Sequence, residues 1–311
     1  MKPVTRLFLI GAPVLIAAAV LFGGGGGSEV LADHPPEHPG RSDAPEKADG
    51  KADDKADGKA DDEAERRLDA LPPGLADPEM KEIAAKIMAS ADHSTLDWRG
   101  QYGAIEDLGD GNGYTAGIIG FCSGTADMLD LVTSYTRSHP DNPLARYLPA
   151  LRAVDGTDSH EGLDPGFPAA WAKAAESPEF RAAQDRTRDR LYFEPAVRLA
   201  KLDGLGTLGQ FIYYDAMVLH GSGTDARGFH GIRKAARERA DTVADGGDEK
   251  TYLNAFLDVG RQVMKTKSVV SQRDSSRIDT AQRVFLRDGN MALEPPLTWQ
   301  MYGDTFRIPA R

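Results

Sequence analysis

A loop of alternating glycines, G-D-G-N-G at 109–113, carries a carboxylate, Asp110, that could take part in chemistry. The loop does not match a dinucleotide-binding fingerprint, because its spacing is G-x-G-x-G and no helix follows directly. A calcium loop beginning at Asp110 is also excluded, because Thr115 stands where glycine is required and Phe121 where a bidentate glutamate is required. Two interpretations stay open: a loop that presents Asp110 to a cleft, and a solvated aspartate in a turn.

Cys122 is a second candidate, since G-F-C-S-G at 120–124 imitates a nucleophile elbow. The α/β-hydrolase fold that uses this elbow needs several buried parallel strands, and Val/Ile-rich runs are almost missing after residue 150. Asp215 and His220 would have to act with Cys122 as the acid and the histidine of a catalytic triad. Both lie on one predicted helix, which is a poor arrangement for activating a thiol elsewhere in the chain. We therefore interpret Cys122 as a small buried side chain rather than a nucleophile.

Metal and cofactor sites find little support in the sequence. Asp92 and His93 form an apparent pair, but adjacent residues on a helix do not face each other. The seven histidines show no metal-ligand spacing such as H-E-x-x-H, so we predict no required metal and no cofactor. A single cysteine excludes an intrachain disulfide framework and a multi-cysteine metal site.

Helices and one hairpin are predicted around these residues. Asp77-Pro78-Glu79 indicates a helix start, with a capping side chain, a proline at the first helical position and an acid in the first turn. This helix should end near Ala91, and a second short helix is predicted over 98–108. The Asn-Gly turn at 112–113, followed by a β-prone run to residue 121, predicts a β-hairpin.

Helical spacing dominates the rest of the chain. It resumes over 124–135, and capped starts at 177–179 and 248–249 predict two further helices. The run 208–219 is apolar nearly all round, which is typical of a helix at the centre of a domain, and it carries Asp215 on its apolar face. The sequence thus predicts a mainly α (α+β) fold with one small sheet near its start.

Composition divides the chain into three parts. Residues 1–32 are predicted to be a signal peptide or a membrane anchor, because Lys2 and Arg6 precede an apolar run of about sixteen residues, short of the about 20 that a membrane span needs. Lys-Ala-Asp repeats without large apolar residues predict a disordered charged linker over 33–72. The catalytic domain is predicted over 73–311. A formal net charge of −11 argues against nucleic acid as a partner.

Segments spread over the folded part carry a recognisable pattern: S-A-D-H-S-T-L-D-W at 90–98, I-E-D-L-G-D-G-N-G-Y-T at 105–115, G-I-I-G-F-C-S-G-T at 117–125, Y-L-P-A-L at 147–151, L-G-Q-F at 208–211, Y-Y-D-A at 213–216, G-G-D-E at 246–249 and P-P-L at 295–297. They resemble segments of one enzyme family, family 46 of the glycoside hydrolases, the secreted chitosanases of soil actinobacteria and bacilli. The resemblance spans roughly 74–305 and implies a lysozyme-like, two-lobed helical fold with a small β-sheet in the N-terminal lobe and a cleft between the lobes. The implied activity is internal cleavage of chitosan, a cationic β-1,4-linked glucosamine polymer, with inversion.

The resemblance also implies roles for individual residues. Inverting hydrolysis needs one carboxylic acid for the leaving oxygen and one carboxylate that activates water on the opposite face. The implied acid is Asp92, where the family usually carries glutamate, and the implied base is Asp110, with Thr115 orienting the water. Asp127 is implied to bind a glucosamine ammonium, and Asn112, where the family usually has arginine, is implied to contact substrate. A buried charge network behind the acid is implied for Asp215, Arg277 and Arg261. Arg261 fits the family position only if the alignment is shifted by one residue.

Departures from the family pattern keep other functions open. Asp92 is one methylene shorter than glutamate, Asn112 and Ala104 replace an arginine and an aromatic residue, and Lys267 lies near the place of a carboxylate. A catalytically weakened chitosan-binding protein of the same fold is one alternative, and a hydrolase of related glycans such as chitin or peptidoglycan is another. We expect a secreted, extracellular monomer that contacts a membrane only if its leader is retained.

Overall fold

The computed structural model describes residues 66, 68, 70–267 and 274–310. All of them belong to one unit that comprises residues 52–311. The predicted leader, 1–32, lies outside the described residues, as does most of the predicted linker, 33–72; Leu68, which falls within that linker, is buried. Within the described ranges, no helix combines the length and apolarity needed to cross a membrane.

The described residues form a mainly helical fold with two small antiparallel sheets. The α-helices are α1 (Pro78–Asp92), α2 (Asp127–Ser138), α3 (Leu148–Val154), α4 (Phe167–Ala174), α5 (Pro178–Arg188), α6 (Glu194–Leu202), α7 (Thr207–His220), α8 (Phe229–Arg237), α9 (Glu249–Lys265) and α10 (Arg283–Arg287). The strands are β1 (Ile105–Asp107), β2 (Tyr114–Ala116), β3 (Phe121–Cys122), β4 (Leu297–Met301) and β5 (Asp304–Ile308). Two π-helical segments, Asp189–Phe193 and Arg277–Gln282, precede α6 and α10.

The predicted start of α1 is confirmed. Asp77 caps the helix by accepting hydrogen bonds from the backbone N–H groups of Glu79, at 2.9 Å, and Met80, at 3.4 Å. Pro78 occupies the first helical position, where its missing N–H costs nothing. The helix ends at Asp92, one residue beyond the predicted end, so a carboxylate is fixed at its carboxyl end.

The first sheet contains the predicted hairpin. β2 pairs with β1 and with β3, and Asp107 lies opposite Tyr114 at the two ends of the loop 108–113. The predicted helix over 98–108 is wrong, because only a short 3₁₀ turn, Trp98–Gln101, forms before β1 begins at Ile105. Pairing with β2 satisfies the backbone hydrogen-bonding groups of β1, whereas a short isolated helix over these residues would be only marginally stable.

The second sheet, β4 and β5, contradicts the expectation of a single sheet near the start. Side chains of β4 alternate between buried and exposed, and Trp299 stacks on Phe306 of β5 with ring centroids 5.9 Å apart. Nε1 of Trp299 donates to Oγ of Ser90 in α1 at 2.9 Å. This sheet thus braces the helix that ends in Asp92.

Buried side chains form two clusters, and α1 contributes to both. The first core gathers β1–β3 and α2–α5 around residues such as Phe121 and Trp171, and it includes Ala89 of α1. The second core gathers α6–α10 and β4 around α7, and it includes Ile83 and Ile87 of α1. Nearly all of α7 is buried, as predicted for a central helix. Asp92 therefore lies at the end of the helix that both cores share.

Candidate active site

Asp92 lies against a buried arginine. Its Oδ1 accepts a hydrogen bond from Nη2 of Arg277, whose side chain is 7% exposed. Its Oδ2 is buried and receives no hydrogen bond from any residue that the structure describes. Burial raises the pKa of Asp92 in spite of the opposing charge of Arg277, and the carboxylate of Asp215 raises it further. Asp92 therefore retains its proton to a higher pH than an exposed aspartate does.

Asp215, on α7, is a second carboxylate on the same arginine. Nη1 of Arg277 donates to Oδ1 of Asp215 at 2.6 Å, and Nε2 of Gln282 donates to its Oδ2 at 2.6 Å. Among the described residues, donors reach both oxygens of Asp215 but only one oxygen of Asp92. A proton on Asp92 leaves Arg277 paired with one negative charge, which avoids burying two carboxylate charges against one cation.

The π-helical segment Arg277–Gln282 brings both donors to Asp215. In a π-helix, residues i and i+5 are hydrogen-bonded neighbours along the axis, so Arg277 and Gln282 share a face. In an α-helix, the same two side chains would point about 140° apart. The predicted pair of Asp215 and Arg277 is thus brought together, and Gln282 is a member that the sequence did not indicate.

Arg261, the predicted third member of this network, is not brought into it. Its Nε donates to both oxygens of Asp279, at 3.0 and 2.7 Å, and its side chain is 36% exposed. Arg261 matches the family position only after a slip of one residue, and one residue turns a side chain by about 100° around an α-helix. Gln282 supplies the second donor to Asp215 instead.

Asp110 lies in the loop 108–113 and is held by Asn112. The backbone N–H of Asn112 donates to Oδ1 of Asp110 at 3.0 Å, and the side-chain Nδ2 donates to Oδ2 at 3.1 Å. Gly109 and Gly111 have φ values of +62° and +89°, a region that other residues rarely adopt, so glycine permits this turn. Asn112, predicted to contact substrate, thus directs its amide to the candidate base.

Thr115 and Cys122 lie opposite each other in β2 and β3, with Oγ1 and Sγ 3.4 Å apart. The thiol is partly buried. Burial raises the pKa of Cys122 to about 12, and the charges of Asp127 and Asp110 act in the same direction. The thiol is therefore protonated at neutral pH, which agrees with its interpretation as a residue without a nucleophilic role. Thr115 and Asp127 both contact Cys122, and the charge of Asp110 acts on its thiol.

Asp127 begins α2 and is almost fully buried. Its Oδ1 accepts the backbone N–H groups of Cys122 and Met128 at 3.0 and 2.8 Å. Oγ1 of Thr125 also donates to Oδ1, at 2.9 Å, and the hydroxyl of Tyr192 donates to Oδ2, at 2.9 Å. Burial raises the pKa of Asp127 to about 6 although these hydrogen bonds lower it. Tyr192 packs against both cores, so this contact also links them.

Two basic side chains connect the aspartates electrostatically. Burial lowers the pKa of Lys267, and the carboxylate of Asp110 opposes this. Burial lowers the pKa of His220 to about 3, with the charges of Lys267 and Arg277 acting in the same direction, so the ring is neutral. The neutral ring of His220 thus lies close enough to both Lys267 and Arg277 to be affected by their charges. Across the described part of the chain, no three His, Cys, Asp or Glu side chains are grouped to hold a metal ion.

A family model described as glycosyl hydrolase family 46 matches residues 86–297, a range that includes Asp92, Asp110 and Arg277. The chain belongs to glycosyl hydrolase family 46. A chitosanase of Streptomyces sp. (strain N174) is 57% identical to it over 235 residues, which are 76% of this chain and 84% of that protein. A chitosanase of Nocardioides sp. (strain N106) is 55% identical over 235 residues, again 76% of this chain and 84% of the relative.

Solved structures show the same family 46 fold. A co-crystal structure of chitosanase OU01 with substrate is 52% identical, covers 76% of this chain and 100% of its own, and has a TM-score of 0.75. The predicted fold class, mainly α with a small sheet, is therefore confirmed.

Proposed function

We propose that this family 46 protein is an exported, endo-acting chitosanase that hydrolyses β-1,4 linkages between glucosamine residues with inversion. The names of its relatives and the substrate complex of a similar protein support the substrate class. The observation that carries the proposal is Asp92, a largely buried carboxyl group, 14% exposed, with a raised pKa and one oxygen without a hydrogen bond from the described residues. A group of this kind suits the general acid of a glycosidase.

Asp92 protonates the glycosidic oxygen as the bond to the anomeric carbon breaks. The carboxylate that forms is stabilised by the guanidinium of Arg277, which already donates to Oδ1 of Asp92. Burial lowers the pKa of Arg277, but its two aspartate partners raise it well above its ordinary value, so Arg277 stays charged throughout. Asp215 and Gln282 act through Arg277 and hold it in place.

Asp110 accepts a proton from the water that attacks the anomeric carbon on the opposite face. Asn112 fixes both oxygens of Asp110, and the hydroxyl of Thr115 orients the water. A new bond forms between water oxygen and anomeric carbon while the glycosidic bond breaks, so the product has the inverted configuration. The two aspartates then exchange protons with solvent to restore the starting state.

Asp127 supplies negative charge for a glucosamine ammonium. Its pKa of about 6 means that it is ionised at neutral pH and loses this charge in mild acid. Tyr192 and Thr125 position the carboxylate by donating to its two oxygens. Export is proposed from the leader-like composition of residues 1–32.

One observation favours a weakened, chitosan-binding protein as the second candidate. Asp92 reaches roughly 1.5 Å less far than glutamate would, and Arg277 holds one of its oxygens. A misplacement of about 1 Å can cost around 100-fold in rate. Under this alternative, Asp92→Glu restores cleavage and the wild-type protein binds chitosan without forming products.

Time-resolved product analysis on a glucosamine hexamer tests the proposal. We expect internal cleavage, with the α-anomer appearing first in the NMR spectrum, and loss of products in Asp92→Asn and Asp110→Asn. Asp288→Asn, which removes an exposed carboxylate paired only locally with Arg287, is the matched control and should retain full activity. Full activity in Asp110→Asn would remove that residue from the mechanism, and binding without turnover by the wild type would favour the second candidate.

A further inference from the structure

The loop that carries Asp110 is rich in glycine and is joined to the first sheet at both ends. Gly109, Gly111 and Gly113 all have positive φ, so the loop has more conformational freedom when unrestrained than other residues would give it. A Cβ built on Gly109 or Gly111 would have no described atom within 4 Å, so open space adjoins both glycines. Next to Asp110, the carbonyl oxygen of Asn112 accepts the backbone N–H of Gly124 at 2.9 Å. The ends of the loop are a further determinant of the position of Asp110.

The two ends of the loop, Asp107 and Tyr114, face each other across β1 and β2 and share one neighbour, His160. The imidazole of His160 stacks on the ring of Tyr114, with centroids 3.9 Å apart and planes inclined by 9°. Nε2 of His160 is buried 3.8 Å from Oδ2 of Asp107, and Nδ1 lies 3.7 Å from Oδ2 of Asp164. The hydroxyl of Tyr114 donates to Asp164.

His160 is itself fixed to the first core. The backbone N–H groups of Leu163 and Asp164 donate to its carbonyl oxygen at 2.9 and 3.2 Å. Leu163 and Phe167 are completely buried, and the ring of Phe167 lies 6.2 Å from that of Tyr114. The segment 160–167 is therefore an anchored support, and His160 is the side chain through which it reaches both ends of the loop.

We propose that His160 is a positioning residue for the candidate base, because it clamps the two ends of the loop 108–113 and so limits the displacement of Asp110. The clamp consists of the stack on Tyr114 and the juxtaposition of the two ring nitrogens with Asp107 and Asp164. This inference rests on the proposed role of Asp110. It adds a residue that does not touch substrate and acts through the loop.

Replacing His160 by alanine should lower kcat more than it changes KM. A displacement of about 1 Å at a reacting group can cost around 100-fold, and a partial loosening should lower kcat about tenfold. His139→Ala is the matched control, since His139 also stacks on a tyrosine of the same core, Tyr135, at 4.6 Å and 26°, and lies outside the contacts of the loop. We expect both variants to unfold at similar temperatures and His139→Ala to keep the wild-type kcat.

Hydrogen exchange followed by mass spectrometry reports on the clamp without relying on turnover. Peptides covering residues 105–116 should exchange faster in His160→Ala than in the wild type or in His139→Ala. If alanine prevents folding, His160→Phe retains a ring against Tyr114 while removing both nitrogens, and it should also raise exchange. Unchanged exchange and unchanged kcat in a folded His160 variant would overturn the proposal. Should the wild-type protein lack turnover, the proposed function fails, and exchange alone still decides whether the clamp exists.

Discussion

Arg277 contacts the buried Asp215 and the partly buried Asp92. Replacing each aspartate by asparagine distinguishes the proposed proton donor from the structural ion pair. In Asp92→Asn, the side-chain oxygen still accepts from Nη2 of Arg277, and the amide nitrogen takes the place of a buried oxygen that receives no hydrogen bond from the described residues. In the proposed mechanism Asp92 enters as the neutral acid, so the substitution exchanges a neutral acid for a neutral amide. We expect the free energy of unfolding to change by about 1 kcal/mol or less, while kcat falls by about 10²–10⁴-fold because general acid catalysis is lost.

Asp215→Asn should have the opposite pattern of effects on stability. The new amide offers one acceptor oxygen where Asp215 accepts from both Arg277 and Gln282 at 2.6 Å, so one buried donor loses its partner. Breaking a buried ion pair costs about 3–5 kcal/mol, and ionisation of Asp92 in compensation favours the lower end. For a domain of this size, about 3 kcal/mol corresponds to a Tm lower by roughly 6–12 °C.

The pH dependence of kcat provides an independent test of the proposal that Asp92 is the proton donor. The charge of Asp215 raises the pKa of Asp92, so removing it lowers that pKa and leaves the acid deprotonated at lower pH. The alkaline limb of the kcat profile should therefore move to lower pH in Asp215→Asn. In the wild type, kcat should decline as pH rises through the raised pKa of Asp92.

Urea unfolding, thermal unfolding and a reducing-end assay on chitosan, run on the same preparations, test these expectations. Near-UV circular dichroism at 20 °C establishes that both variants are folded before kinetics are compared. If Asp92→Asn destabilises the protein as much as Asp215→Asn does, then Asp92 is the ionised partner of Arg277, and the assignment of the proton to Asp92 is refuted.

Three further predictions concern the first sheet and its loop. The pKa of Cys122, about 12, leaves on the order of one thiolate in 10⁵ at pH 7, so iodoacetamide should modify the thiol only after unfolding, and mass spectrometry showing earlier modification would contradict this. Below pH 6, kcat/KM on chitosan should fall as Asp127 is protonated, and a profile equally steep in Asp127→Asn would exclude that cause. Asn112→Ala removes one hydrogen bond to Asp110 and should lower kcat about tenfold with little change in KM; a raised KM at unchanged kcat would instead indicate that Asn112 contacts substrate.

Local patterns predicted those parts of the fold whose signals are short in range. The capping residues Asp77 and Asp248 marked helix starts that α1 and α9 have, and the apolar run 208–219 indicated the central helix. The two predictions that were wrong, the helix over 98–108 and the single sheet, share a cause. Residues 98–108 have a local preference for helix, but the end of this segment forms strand β1 and pairs with β2. The second sheet forms where Trp299 packs against the helix that carries Ser90, a residue distant in the chain. Strand pairing and packing over such separations outweigh weak local preference.

The candidate site was indicated residue by residue through family resemblance, which aligned Asp92, Asp110 and Asp127 with functional positions. Resemblance did not indicate the hydrogen-bond partners of these residues. Gln282 reaches Asp215 because the backbone forms a π-helix there, and the sequence signal for Arg261 pointed to the wrong side chain. A slip of one residue is small in an alignment but turns a side chain by about 100° on an α-helix.

The sequence by itself determined which groups are available: carboxylates at the end of a capped helix, in a glycine loop and on a central apolar helix. These follow from composition, turn chemistry and periodicity, which act over a few residues. Only the tertiary structure decided how the surroundings of these carboxyl groups differ, because burial and the number of donors that each oxygen receives depend on distant segments. Asp92 and Asp215 are the same residue type on the same arginine, and a second donor, Gln282, from a distant segment makes them different.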